Sequence, residues 1–179
     1  HGIGTIANVL RYITAAEGTH HAICQGTKRF RVLQYLEGYP FLAARVEVIE
    51  EAKSTDADVE GRAHSLRQRA AEILQLLPQV PEEVVTALQN VDGPAQLADF
   101  IGGLMDIGPE EKQTLLETLD LKARLDHLLA LLTHRIEVLK VSRDIAERTK
   151  GSIDEGNRKH LLREQMRTIQ KELGETDDK

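Results

Sequence analysis

Apolar residues alternate with polar ones over the first fifty positions and afterwards recur every three or four, so the chain changes period near residue 52. In "PFLAARVEVIEE", Leu42, Ala44, Val46 and Val48 fall on one face of an extended strand, with Arg45 and Glu47 on the other. Such alternation predicts a sheet with one buried and one wet face. Turn residues at Glu17 and Gly18, at Gly26 and Thr27, and at Glu37, Gly38 and Pro40 separate candidate strands near 3–14, 20–26, 28–36 and 41–50. The short connections make hairpins, hence antiparallel pairing. Four strands seldom close a barrel, and an unpaired edge is expected to await strands that lie before His1. The start "HGIGTIANVL" has no initiator Met and no signal-peptide pattern, and reads as a piece cut from a longer chain.

From "KSTDADVEGRAHSLRQRAAEILQLLP" onward the period is helical, with Ser54, Thr55 or Asp56 as cap candidates and Val59, Ala63, Leu66, Ala70, Ile73 and Leu77 on one face. Pro78 ends that helix. Pro81 and Pro94 open two short ones, the second with Leu97, Ile101 and Leu104 inward, and Gly108 and Pro109 introduce a third, acidic in its first turn. Asp120 is placed to cap the longest element, whose stripe of Leu121, Leu125, Leu128, Leu132, Ile136, Leu139 and Ile145 runs to about Thr149. Gly151 and Gly156, in the polar stretch "KGSIDEGNRK", each cost about 1 kcal/mol against Ala inside a helix and are hinge candidates. A helix then resumes in "LLREQMRTIQKELGE". There Leu162, Met166, Ile169 and Leu173 form a stripe that either packs on the bundle or leaves it to pair with another chain or domain. Gly174 and "ETDDK" read as a helix end or linker. The expected organisation is a β-rich lobe over 1–52, a helical bundle over 53–150 and a C-terminal helix or linker over 151–179, an α+β arrangement.

Composition narrows the function classes. The 179 residues carry 23 basic and 29 acidic side chains, a net charge of −6, which disfavours a general attraction to nucleic acid or anionic membrane. Aromatics are 3% and Trp is absent, so a base-stacking platform is not expected. Lys28, Arg29 and Arg31 cluster in "GTKRFR", but alternation sets Arg29 and Arg31 opposite Phe30, which reads as a wet face over a core. No apolar run approaches the roughly 20 residues that span a bilayer.

Catalytic and metal-binding sets are not apparent either. Cys24 stands alone in mid-strand, where a buried structural thiol is the expectation. His20 and His21 point to opposite strand faces. His127 and His134 are two helical turns apart, and His64 and His160 are isolated among charges. Ser54, Ser65, Ser142 and Ser152 lack a nucleophile-elbow context, and no GxxxxGK[ST] loop is present. The glycines of "DFIGGLMDIGPEE" read as a helix end and turn. Glu50 with Glu51, Glu82 with Glu83 and Glu110 with Glu111 sit at strand ends or first helical turns, where capping explains them.

"LLREQMRTIQKELGE" closely resembles the segment joining the amino-terminal domain of the Lon family of ATP-dependent serine proteases to its ATPase module. "EEKQTLLETLDLKARLDHLLALLTHRIEVLKVSRDIAERTK" is similar to that family's long-helix region, "PAQLADFIGGLM" to its short-helix segment, and "GIGTIANVLRY" with "GTKRFRVLQYLEGYPFLAARVEVIEE" to its strand-rich lobe. The resemblance implies a PUA-like β lobe whose first strands precede His1, then a helical bundle and a long helix directed to an ATPase ring. It implies a role in substrate recognition and assembly within a homohexameric quality-control protease, in bacterial cytosol rather than mitochondrial matrix. Unfolded or damaged proteins would be its partners. ATP, magnesium and the Ser and Lys dyad would lie outside this chain, leaving no catalytic or metal residue here. Relatives usually keep strong helix formers at the positions of Gly151 and Gly156. A stand-alone adaptor or chaperone-like domain is the alternative reading.

Overall fold

The structure, a computed structural model, describes residues 1–51 and 56–172. The cap candidates Ser54 and Thr55, and Leu173 of the terminal stripe, lie outside the described residues. Three strands, β1 (Ile3–Thr14), β2 (His20–Leu36) and β3 (Ala43–Ile49), form an antiparallel sheet in the order β1-β2-β3. Gly18 and Gly38 take φ of 80° and 90° in the two connections, a left-handed backbone that glycine adopts without a Cβ penalty.

Three strands stand where the turn signals predict four. Gly26 and Thr27 make a bulge rather than a turn: Ile6 pairs with Lys28 and Ala7 with Gly26, leaving Thr27 as the extra residue. The Thr27 hydroxyl donates to the Ile6 carbonyl at 3.0 Å, which holds the bulge closed and lets β2 run on.

Directly paired residues share a face, so Phe30 lies beside Gly4 and Val48, and Val32 beside Val46. The Phe30 ring occupies the space a side chain at Gly4 would need, since a Cβ there would meet Cζ at 2.5 Å. The predicted inward face is therefore apolar as expected, yet among the described residues nothing covers it: Val46 and Val48 are 38% and 44% exposed and Leu42 86%. The helices meet the opposite face, the one that carries Arg29 between Thr5 and Ile49.

Five helices follow: α1 (Ala57–Leu76), α2 (Glu82–Asn90), α3 (Pro94–Leu104), α4 (Pro109–Glu117) and α5 (Leu121–Glu172). Asp56 caps α1, its carboxylate accepting from the Asp58 amide at 3.0 Å, and Asp120 accepts from the Ala123 amide at 2.8 Å at the start of α5. Every buried apolar side chain among the described residues comes from a helix: Val59, Ala63, Leu66 and Ala70 of α1 close on Leu125, Leu128, Leu132 and Ile136 of α5, with Leu97 and Ile101 of α3 between them. Leu104, expected inward, is exposed, while Ala98 is buried and Met105 packs against the core. Arg67 of α1 donates to the Leu88, Gln89 and Val91 carbonyls at 2.6 to 2.9 Å, satisfying the end of α2.

The α5 helix runs without interruption through the hinge candidates Gly151 and Gly156 and so crosses the boundary drawn near residue 150. Two isolated glycines lower its stability without stopping it. Burial ends earlier, since Leu139 is half-buried and Ile145, expected on the packed stripe, is 58% exposed. From Val141 to Glu172 the helix extends about 48 Å beyond its last bundle contacts at 1.5 Å per residue.

Candidate functional site

Two regions stand out, one apolar and uncovered, the other charged and buried. On distal α5, Leu161, Leu162, Met166 and Ile169 are exposed to between 54% and 63%. Spacings of four and three place Leu162, Met166 and Ile169 on one stripe. Val138, Val141 and Ile145 make a second exposed group with spacings of three and four. Leu162 follows Val141 by three whole heptads, so the two groups share one seven-residue frame, with exposed Arg148 and Lys159 at frame positions between them. The structure thus places Leu162, Met166 and Ile169 together and off the bundle core. At Gly156 a Cβ would meet nothing within 4 Å, so that glycine fills no packing need.

The second region joins sheet to bundle, and sequence reasoning missed it. Arg29, read as part of a wet face, is buried at 7% relative exposure, and Arg124 at 2%. The Arg29 guanidinium donates to Asp99 of α3, to Glu51 just after β3, and through Nε to the Leu116 carbonyl of α4 at 3.1 Å. From the first turn of α5, Arg124 donates to Glu51 at 2.8 Å, to Asp99 at 3.2 Å and through Nε to the Thr118 carbonyl at 2.9 Å. Each carboxylate bridges both guanidiniums, so two buried guanidiniums and two carboxylates that keep access to solvent, at 32% and 46% exposure, form one hydrogen-bonded set. Glu51 is therefore a ligand of two arginines, not a strand-end cap. The signal was present at Arg124, a charged residue directly beside Leu125 and four positions before the core residue Leu128. Beside the set lies a cleft of about 720 Å³, bounded by Lys28, Phe100, Gly103, Lys112 and Leu116.

A charged seam also ties α1 to α5 at the surface. Lys122 Nζ lies 2.6 Å from Asp56 and 3.2 Å from Asp58, while Arg62 bonds Asp58 and, at 2.7 Å, Asp126. Hydrogen bonds from Lys122 hold the Asp56 carboxyl below its ordinary value, and Arg62 followed by Lys122 does the same to Asp58.

The remaining candidates do not gather. His20 stacks on Tyr12 with ring centroids 5.4 Å apart, its Nδ1 3.1 Å from the Thr14 hydroxyl, and His127 lies 3.4 Å from Glu111. Cys24 is exposed rather than buried, because the outer half of the β1–β2 ribbon has no neighbour on either face among the described residues. Among those residues no group of three or more His, Cys, Asp or Glu could hold a metal, and no helix is long and apolar enough to cross a membrane. What the arrangement can do is present apolar surface on a fixed frame.

Comparison with known proteins identifies the family. Residues 1–134 match the family model described as the ATP-dependent protease La (LON) substrate-binding domain. The chain is 50% identical over 179 residues to a Lon protease of Methylocella silvestris, covering 100% of this chain and 22% of that protein. It is 53% identical over 174 residues to one of Paraburkholderia phytofirmans, covering 97% of this chain and 22% of that one. This chain thus spans about a fifth of the length of these curated relatives. The N-terminal domain of a Mycobacterium avium complex Lon protease superposes with a TM-score of 0.65 at 25% identity, over 74% of this chain and 70% of that one. A Lon N-terminal domain protein from Xanthomonas campestris shares the fold, with a TM-score of 0.50 at 20% identity over 73% of this chain and 68% of its own.

Proposed function

Since this chain belongs to the Lon substrate-binding domain family, we propose that it is the substrate-recognition and assembly region of a Lon-type protease. The parent would be an ATP- and magnesium-dependent serine endopeptidase that degrades misfolded and short-lived proteins. Its phosphate loop and its Ser and Lys dyad would lie outside these residues, and this region would do no chemistry itself. We propose a bacterial source, because the relatives named above are bacterial proteins, and a cytosolic homohexamer as what the family resemblance implies.

The observation that carries this reading is the uncovered stripe of Leu162, Met166 and Ile169 on a helix that has left its bundle. Unfolded proteins expose apolar segments of no fixed sequence. A receptor for them needs adaptable apolar side chains rather than a shaped pocket, and Met is the most adaptable of these. The same stripe suits pairing with the neighbouring subunit's helix, and Gly151 and Gly156 supply low-cost bending points between the two exposed groups.

The test is Met166→Glu with Ile169→Glu in the full-length protein, followed by sedimentation velocity and by the rate of degradation of a carboxymethylated unfolded protein. The reading expects a smaller assembly or slower degradation, while the melting temperature of the 179-residue chain stays put. Unchanged assembly together with unchanged degradation refutes it.

A further inference from the structure

We infer that Arg29, Glu51, Asp99 and Arg124 form a rigid joint that makes the β lobe move as one body with α5. The interface between lobe and bundle holds no buried apolar side chain from the sheet, since all buried apolar residues among those described are helical. Besides the arginine set, polar ties across it among the described residues include Gln113 of α4, which donates to the Ile3 carbonyl at 2.9 Å, and His1, which lies 3.8 Å from Glu117. Apolar packing is non-directional and tolerates sliding, whereas a guanidinium fork donates to its carboxylate within a narrow range of angles.

Here the forks are shared. Glu51 and Asp99 each accept from both arginines, so shifting either carboxylate leaves two buried guanidiniums short of an acceptor. The side chains of Arg29 and Arg124 are 6% and 2% exposed, so the guanidiniums depend on these acceptors, while Glu51 and Asp99 keep one side to solvent. Position adds the functional consequence. Arg29 reaches α3 and α4 from the middle of the sheet, while Arg124 stands in the first turn of the 52-residue α5 and also bonds the segment that leads into it. A rotation applied along the exposed length of α5 is therefore passed to β2 and β3 through two residues, and the apolar face around Phe30, Val46 and Val48 turns with it.

The joint is tested by pulsed electron–electron distance measurements on the full chain in a Cys24→Ser background, with spin labels at Arg45→Cys on β3 and Ala146→Cys on α5. A control pair, Glu60→Cys on α1 with Ala146→Cys, reports the bundle alone. With the joint intact both pairs give narrow single distributions. Arg29→Met is expected to at least double the width for the sheet–α5 pair and leave the control pair narrow. Arg29→Lys, which keeps the charge and loses the fork, is expected to do the same, as is Glu51→Gln. An Arg29→Met distribution as narrow as the parent's overturns the inference. Equal broadening of both pairs overturns it as well, because the residue would then support the whole fold rather than a joint.

Discussion

Leu128 and Leu162 lie on the same helix, and replacing each by Ala separates packed from presented surface. Leu128 is 0% exposed in the core between α1, α3 and α5, and Leu162 is 54% exposed. Removing a fully buried Leu side chain costs its transfer free energy plus the cavity left behind, about 3 to 5 kcal/mol. For a chain of this length each kcal/mol shifts the melting temperature by about 2 to 4 °C, so Leu128→Ala is expected to lower it by about 6 to 20 °C. At Leu162 less than half the side chain is covered, mostly by its own helix, which bounds the loss at about 1 kcal/mol, and Ala returns a few tenths through helix propensity. The expected shift is below about 3 °C. Calorimetry and circular dichroism at 222 nm, each at two protein concentrations a hundredfold apart, read both variants. A loss at Leu162→Ala as large as that at Leu128→Ala, at the lower concentration, would refute the reasoning and put the distal stripe in the core. A loss confined to the higher concentration would show chains pairing through the stripe.

Acid titration tests the α1–α5 seam. Asp56 and Asp58 titrate below their ordinary value of 3.8, and Glu72, through Lys140 and then Arg69, below 4.5. The folded state binds fewer protons there than the unfolded one, so the stabilisation is complete above the unfolded values and is lost as pH falls through the lowered ones. The melting temperature should be level from about pH 7 to 5 and fall below about 4, less steeply in Lys122→Met; a rise between pH 4 and 3 would contradict this. Gly156→Ala should slow amide exchange around residues 150–165, worth up to about 1 kcal/mol locally, because the added Cβ meets open space; faster exchange would contradict the continuous helix. Exposed Cys24 should react with iodoacetamide in the native state at close to a free thiol's rate, leaving the melting temperature unchanged, and protection until unfolding would show the ribbon covered.

The helical half was legible because its signals are local. Asp56 and Asp120 cap where their side chains allow, Pro94 and Pro109 open helices, and the 59, 63, 66, 70 spacing becomes the buried face of α1. The sheet was legible in direction and alternation but not in strand number. A Gly-Thr pair reads alike as turn or bulge, and the partner strand decides, through the Thr27 bond to Ile6. The Arg29 set was hidden for a different reason. The hydrogen bonds that join its members span 22 to 73 positions, and hydropathy assigns every charge to water. Only the tertiary pairing of two guanidiniums with two carboxylates reverses that assignment, and no single-residue scale contains it.

The chemistry of the joint also suits the proposed task. A receptor that leaves apolar side chains uncovered for partners of many sequences faces competition wherever its own parts are held by apolar packing, since a bound segment satisfies such a surface equally well. Arg29 and Arg124 are held instead by carboxylates and carbonyls in fixed directions, which an apolar segment cannot supply. The distal stripe of α5 and the sheet face around Val48 can then be occupied without loosening the frame between them. The same argument bears on the burial of the two guanidiniums: a fully exposed pair contributes little and is screened, whereas a buried guanidinium that loses its carboxylate is left with a charge that no hydrophobic ligand can satisfy.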